Sequence, residues 1–136
     1  MKKTLILLTL LSSLTIFSQE TTPVEEKQNT ENTVYESLAD KAEYPGGINA
    51  FRQKFMQTFK YERVKGKGQI KSEVRFVIDK QGSITEITTL GDNESMNKEM
   101  ERTIKKISKT KWEPAKLDGK PVRFRYRLPI TISIDS

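Results

Sequence analysis

The chain has 136 residues and a formal net charge of +6 at pH 7, which is enough length for one modest domain. It contains no cysteine and no histidine. Disulfides and thiolate chemistry are therefore excluded and the commonest general base and metal ligand is missing, so we predict no metal site and no cofactor.

Residues 1–18 have the pattern of a secretory signal peptide. Two lysines precede an apolar stretch, residues 4–17, which is shorter than the roughly 20 apolar residues that a bilayer-spanning helix needs. The small residue Ser18 follows, and we predict cleavage after it. The alternative is an uncleaved, short membrane anchor.

Residues 19–37 predict a disordered acidic linker. Between residues 20 and 36 there are five acids and one lysine, and apolar residues are too few to offset the entropy lost on ordering. The remainder, residues 38–136, holds 21 basic and 13 acidic residues and forms the predicted domain. An acidic leader before a basic domain is typical of interaction proteins.

Two amphipathic helices are predicted in this domain. Pro45 and two glycines open the first helix, residues 48–59. Ser95 is the predicted N-cap of the second helix, which extends to about Lys109. Their apolar stripes, which we interpret as core-facing, are Ile48, Phe51, Phe55 and Phe59 in the first and Met96, Met100, Ile104 and Ile107 in the second. Glu99 and Glu101 are placed on the polar side of the second helix.

Three segments alternate in hydrophobicity, as half-buried strands do. Residues 69–79 and 83–90 form a predicted hairpin around a loop in which Gly82 is free to adopt a left-handed conformation. The uneven apolar spacing of the second strand predicts a bulge. The third strand, residues 121–134, carries an apolar side chain at every second position, from Val122 to Ile134.

The last strand is the candidate functional element. Pro129 has no N–H to donate, which argues for a position at the edge of the sheet. The arginines on its solvent face either keep this edge soluble or leave it available for a partner strand. The residues predicted to contact a partner are Arg123, Arg125, Arg127, Pro129, Thr131 and Ser133.

Several short motifs follow one another along the domain: Tyr44-Pro45, Gly68-Gln69-Ile70, Asp79 with Gly82, Trp112-Glu113-Pro114-Ala115 and Gly119-Lys120-Pro121-Val122. Their order and spacing resemble the C-terminal domain of TonB over about residues 40–134. The family-motif residues that we single out are Tyr44, Pro45, Trp112 and Pro114.

The resemblance implies an α+β fold with two helices packed on one face of a three-stranded antiparallel sheet. The residues themselves predict the strand order 83–90, 69–79, 121–134, because the second helix is long enough to return along the hairpin. The resemblance also implies that the last strand pairs with the TonB box, a short peptide of outer-membrane receptors, in TonB-dependent energy transduction and transport.

The N-terminal part departs from the family pattern. An energy transducer needs a transmembrane anchor and a long spacer, whereas this chain has a signal-like segment and a short linker. Cleavage after Ser18 gives a free periplasmic binding module, and retention gives an inner-membrane-anchored protein able to reach the proton-driven motor. A structural or scaffolding module of the cell envelope is the alternative function. The oligomeric state stays open, a dimer included.

An enzyme and a nucleic-acid-binding protein are the rival classes. The acidic residues are scattered, and no pair stands in a recognisable acid–base arrangement. The arginines of the last strand alternate with Phe124 and Tyr126, so the aromatic rings face away from the basic side and cannot stack on the same strand of bases. We therefore predict a non-enzymatic protein-binding module without a nucleic-acid partner.

Overall fold

The computed structural model describes residues 32–135, in which five strands and two α-helices follow one another along the chain. They are β1 (Val34–Tyr35), α1 (Ile48–Thr58), β2 (Gly68–Ile78), β3 (Ile84–Leu90), α2 (Glu94–Ile107), β4 (Ala115–Leu117) and β5 (Lys120–Ile134), with a short 3-10 helix at Tyr61–Arg63 after α1. The predicted signal peptide, residues 1–18, lies outside the described residues. Neither helix of the described range is long and apolar enough to cross a membrane.

The three long strands lie in the order β5-β2-β3. β2 pairs with β5 in antiparallel register from Gly68–Ile134 to Ile78–Phe124. It pairs with β3 as an antiparallel hairpin whose register shifts between Arg75 and Val77. The predicted strand order and the predicted bulge are therefore confirmed.

The prediction of a three-stranded antiparallel sheet is wrong, although the α+β class and the two helices are confirmed. The sheet is mixed and has five strands, because β1 adds to β5 in parallel and β4 adds to it antiparallel. Strands of two and three residues are too short to produce a visible alternation of polar and apolar residues. Only their pairing with the long strand β5 makes them strands.

The end of the predicted disordered linker is structured. β1 lies within residues 19–37, and Tyr35 packs against the core cluster of the domain. Pairing with β5 and burial of this one aromatic ring supply contacts that the polar composition of the linker did not predict. Residues 19–31 lie outside the range that the structure describes.

The core lies between the helices and one face of the sheet, as the apolar stripes predicted. Fully buried side chains come from α1, β2 and α2, and they include Phe51, Phe55, Phe76, Met96, Met100 and Ile104. β5 adds Val122, Phe124, Leu128 and Ile132 to the same cluster. Ile48 at the start of α1 is exposed, so the core-facing stripe of this helix begins at Phe51.

The start of α2 is capped by Asn93 and not by Ser95. Asn93 Oδ1 accepts a hydrogen bond from the Met96 N–H at 2.8 Å. Ser95 lies two residues after Asn93, and its hydroxyl accepts a hydrogen bond from the Lys65 N–H at 2.8 Å. Both side chains are short and polar, and the sequence alone did not distinguish the cap from the residue that holds the preceding loop.

Glu99 is buried, 2 % exposed, and its placement on the polar side of α2 was wrong. Its carboxylate accepts hydrogen bonds from the Lys60 N–H and from Arg102 Nε, each at 2.8 Å. Arg102 also donates to the Thr58 carbonyl oxygen at 2.9 Å. The pair therefore joins α2 to the C-terminal end of α1. Burial raises the pKa of Glu99, but the hydrogen bonds from Arg102 and Lys60 outweigh it, and the pKa is lowered.

Glu99→Gln is expected to lower the free energy of unfolding by about 1–3 kcal/mol at about pH 7, since charge-assisted hydrogen bonds to a buried group are lost. The folded-state pKa of Glu99 lies below its ordinary value of 4.5. The stabilisation is thus fully present above about pH 4.5 and is lost as the pH falls through the folded-state pKa. Urea unfolding should show the difference from the wild type shrinking as the pH is lowered to about 3.

The matched control for this experiment is Glu101→Gln. Glu101 is more exposed and forms an i,i+4 ion pair with Lys105 on the same helix. Its replacement should change stability by less than about 0.5 kcal/mol. If Glu99→Gln lowered the free energy of unfolding equally at about pH 7 and about pH 3, this would contradict a role for the ionised carboxylate.

Candidate functional site

The candidate site is the side of β5 that faces away from β2. Alternation along β5 directs Phe124, Leu128 and Ile132 into the core, where all three are buried. The odd-numbered residues 123–133 lie on the opposite face of the sheet. There Arg123 and Arg125 are half-buried, whereas Arg127, Pro129, Thr131 and Ser133 are exposed.

This side of β5 has two parts that differ in pairing. Residues 120–124 are paired on it by β4 and β1. From residue 125 to residue 134, β2 is the one strand that pairs with β5 among residues 32–135. We call residues 125–134 the open edge. Pro129 lies within it, where a residue without an N–H interrupts no second ladder.

All three predicted arginines contact the segment that precedes the domain. Arg123 Nη1 donates to the Asn32 carbonyl oxygen at 3.0 Å. Arg125 Nη1 and Arg127 Nη2 donate to the two carboxylate oxygens of Glu36, at 3.0 and 2.7 Å. The arginines were placed on the correct face from the sequence, but their contact with the chain's own acidic residue was missed. Val34-Tyr35, a β-prone pair within a polar stretch, was the available signal.

The electrostatics of this contact favour a bound carboxylate. The hydrogen bonds from Arg127 and then Arg125 lower the pKa of Glu36, and Glu36 in turn raises the pKa of Arg127. Each group thus favours the charged form of the other. Arg123 has a different acidic partner, since its Nη2 donates to Glu86 Oε1 at 2.7 Å. The arrangement can hold one carboxylate on an extended chain beside β5.

An open cavity of about 560 Å³ adjoins the start of this site. Its lining is mixed: Tyr35, Leu117, Pro121 and Val122 supply apolar surface, and Lys80, Asp118 and Lys120 supply charged groups. The cavity thus places apolar surface next to the paired part of β5. Among the described residues, no group of three or more acidic side chains could hold a metal ion.

A family model described as the C-terminal part of the Gram-negative bacterial TonB protein matches residues 62–133, just over half of the chain. The chain belongs to the TonB C-terminal family. Domains of this family are protein-interaction domains of TonB-dependent transport, they generally interact with outer-membrane receptors, and they are typically periplasmic. No curated protein and no solved structure gives a significant match.

The match to the TonB C-terminal family includes the open edge but not β1. It begins at Glu62 within the 3-10 helix and ends at Ser133 near the end of β5. The strand that contacts the arginines therefore lies in a part of the chain that the TonB family model does not cover.

Two of the TonB family-motif residues, Tyr44 and Trp112, lie on the inner side of the sheet, apart from the arginines. Tyr44 packs against Trp112 with ring centroids 5.3 Å apart, and Trp112 packs against Tyr126 of β5 at 5.6 Å. Glu43 and Glu113 form a backbone bridge with hydrogen bonds of 3.0 and 2.7 Å. Pro114 directly follows Glu113, and Pro45 lies two residues after Glu43. Tyr44 and Trp112 thus contribute to the aromatic packing beneath β5, and the two prolines lie beside the bridge that joins their segments.

Proposed function

We propose that this TonB C-terminal domain binds outer-membrane receptors by pairing the open edge of β5 with the TonB box. The observation that carries the proposal is a ten-residue stretch, residues 125–134, that has a strand partner on one side only within the described range. Unpaired N–H and C=O groups along such an edge are the usual template for strand addition. Arginines beside the edge add a preference for acidic partners.

The expected affinity is low. About five new ladder hydrogen bonds, each contributing about 0.5–1.5 kcal/mol net, supply only a few kcal/mol. Association itself costs at least about 4 kcal/mol, so side chains must provide most of the net affinity. Arg125 and Arg127 are the charged side chains next to the open edge. We therefore expect binding in the micromolar range or weaker, and weaker still at high salt.

The test is an NMR titration of the full chain with receptor N-terminal peptides that contain a TonB box. Amide shifts should be confined to residues 120–134 and their immediate neighbours. Arg127→Glu should weaken binding of an acidic peptide by roughly three- to tenfold without unfolding the domain, since this side chain is exposed. Arg75→Glu is the matched control, because Arg75 pairs with Arg127 in register but lies on β2.

Two results would contradict the proposed binding mode. Shifts centred on α2 would place the partner on the other side of the molecule. An equal loss of affinity for Arg75→Glu and Arg127→Glu would show a general charge effect and no role for the edge. Absence of binding to every receptor peptide would favour the scaffolding function.

We propose the periplasm as the location of the domain. The support is the signal-like pattern of residues 1–18 together with the family, whose domains are typically periplasmic. N-terminal sequencing of the protein recovered from cells shows whether residues 1–18 are cleaved. A start at Gln19 gives a free module, and a start at Met1 gives an anchored protein that could engage a proton-driven motor.

A further inference from the structure

We propose that residues 32–36, which we call the self-strand, are a built-in ligand of β5 that a partner must displace before it can occupy Arg125 and Arg127. The proposal rests on the proposed function and specifies its ligand. The ligand is an extended segment that runs parallel to β5 and carries an aromatic residue followed at once by a carboxylate.

The backbone of the self-strand already makes the pairing expected of a ligand. Val34 pairs with Arg123 and Tyr35 with Phe124, in parallel register. This pairing stands directly before the open edge, on the same side of β5. A partner strand that runs parallel to β5 and extends back past residue 125 would therefore overlap the self-strand.

The side chains of the self-strand contact both the cavity at the start of β5 and the arginines of β5. Tyr35 is half-buried against the core cluster and lines the open cavity at the start of β5. Glu36 places one carboxylate oxygen on Arg125 and the other on Arg127. An acidic residue of a partner would thus meet arginines that are already neutralised by the chain itself.

The chain holds the self-strand close to β5 without holding it firmly. Residues 40 and 43 form backbone bridges with residues 116 and 113, so only a few residues separate the self-strand from a fixed point. A short tether of this kind gives an effective concentration on the order of millimolar. The self-strand has only two residue pairs in register, and its ion pairs are exposed. Such contacts are weak enough for displacement.

Because the self-strand competes with a partner, the apparent affinity for the partner falls with the fraction of molecules in which the site is free. A site that is free in about one molecule in ten binds its ligand about tenfold more weakly than a permanently open site. The remainder of the open edge, from Leu128 onward, stays free for a first contact with the partner. The self-strand therefore prevents weakly binding or non-acidic segments from occupying Arg125 and Arg127.

The first experiment tests occupancy and needs no partner. The chain has no cysteine, so Val34→Cys with Arg123→Cys in the full chain introduces one defined pair at neighbouring register positions. Neighbouring strands lie about 4.8 Å apart, within the range that a disulfide spans. Mild oxidation of dilute protein should close this intramolecular disulfide. Val34→Cys with Ser133→Cys is the matched control and should stay reduced, because Ser133 lies ten residues further along β5.

The second experiment measures binding of a labelled synthetic peptide with the sequence of residues 31–38. The oxidised Val34→Cys/Arg123→Cys protein should bind it at least tenfold more weakly than the same protein after reduction. This comparison keeps the loss of Arg123 constant. In the wild-type background, Glu36→Arg should bind the peptide about three- to tenfold more tightly than the wild type, because its own strand is repelled by Arg125 and Arg127.

Each outcome decides between the two proposals. A disulfide that forms no faster with position 123 than with position 133 overturns the self-strand and leaves receptor binding untouched. Equal binding by the oxidised and reduced proteins, or no gain for Glu36→Arg, overturns displacement. A third outcome separates the two proposals: the disulfide forms and Glu36→Arg binds the synthetic peptide, but the wild type binds no receptor peptide. This outcome overturns the receptor function and keeps the self-strand.

Discussion

Replacing Trp112 with alanine is expected to lower the free energy of unfolding by about 3–5 kcal/mol. Trp112 is 3 % exposed. Its ring lies against Tyr44, Phe51, Phe76 and Tyr126, with the nearest centroid, that of Phe51, at 4.9 Å. These four rings come from four different parts of the chain. Removal of the indole leaves a cavity that rigid aromatic neighbours fill poorly.

The loss at Trp112 should come from packing alone. The indole Nε1 is buried and has no hydrogen-bond partner among the described residues, so the substitution removes no side-chain hydrogen bond. Urea unfolding of the variant is the measurement, with Tyr61→Ala as the control, because Tyr61 is an aromatic residue that is 49 % exposed. The control should lose less than about 1 kcal/mol. A similar loss for both variants, or native fluorescence typical of an indole in water, would contradict the buried placement.

Gly82→Ala is expected to destabilise the domain by about 2–5 kcal/mol, through two separate effects. Gly82 has φ +82°, and a non-glycine residue in the left-handed region costs about 1–2 kcal/mol. A Cβ at this position would also overlap the carbonyl oxygen of Trp112. That oxygen is backbone, and the Trp112 N–H donates to the Gly82 carbonyl at 2.9 Å, so neither chain can move away freely. Overpacking of this kind adds about 1–3 kcal/mol.

Gly119→Ala separates the two effects at Gly82. Gly119 has φ +76°, and a Cβ there would have no atom within 4 Å. The control should therefore lose only the conformational part, about 1–2 kcal/mol. Thermal unfolding followed by circular dichroism gives the comparison, since each 1 kcal/mol shifts the Tm of a domain of this size by roughly 4–8 °C. Equal Tm values for the two variants would show that the contact with Trp112 does not matter.

The parts of the fold that were predictable are those with enough residues to show a period. β2, β5 and α2 each contain more than ten residues, and their apolar spacing identified both type and orientation. Glu99 was misplaced for a different reason. It lies three residues after Met96 and four before Thr103, so the helical period placed it on the buried stripe, and its charge wrongly outweighed the period. The partners that make its burial tolerable, Arg102 and the Lys60 N–H, are revealed only by the fold.

Only the arginines of the candidate site were predictable from the sequence, and their acidic partner was not. Alternation placed Arg125 and Arg127 on the outer face of the last strand, and Pro129 indicated the edge. Glu36, which they bind, lies 89 residues before Arg125 in the sequence. A strand of two residues is too short to show alternation, so the polar composition around the β-prone pair Val34-Tyr35 described it as part of a linker.

The position of β5 in the chain also determines the order in which the domain can fold. β5 follows every other described element, yet β1, β2 and β4 all pair with it. The contacts local enough to form early are those within α1 and α2 and within the β2–β3 and β4–β5 hairpins. The loop between β1 and β5 must close over nearly the whole domain, and its entropy is lost before any pairing compensates for it. Until β5 pairs with it, β2 presents one unpaired edge and an apolar face that the β5 of a second chain can also match.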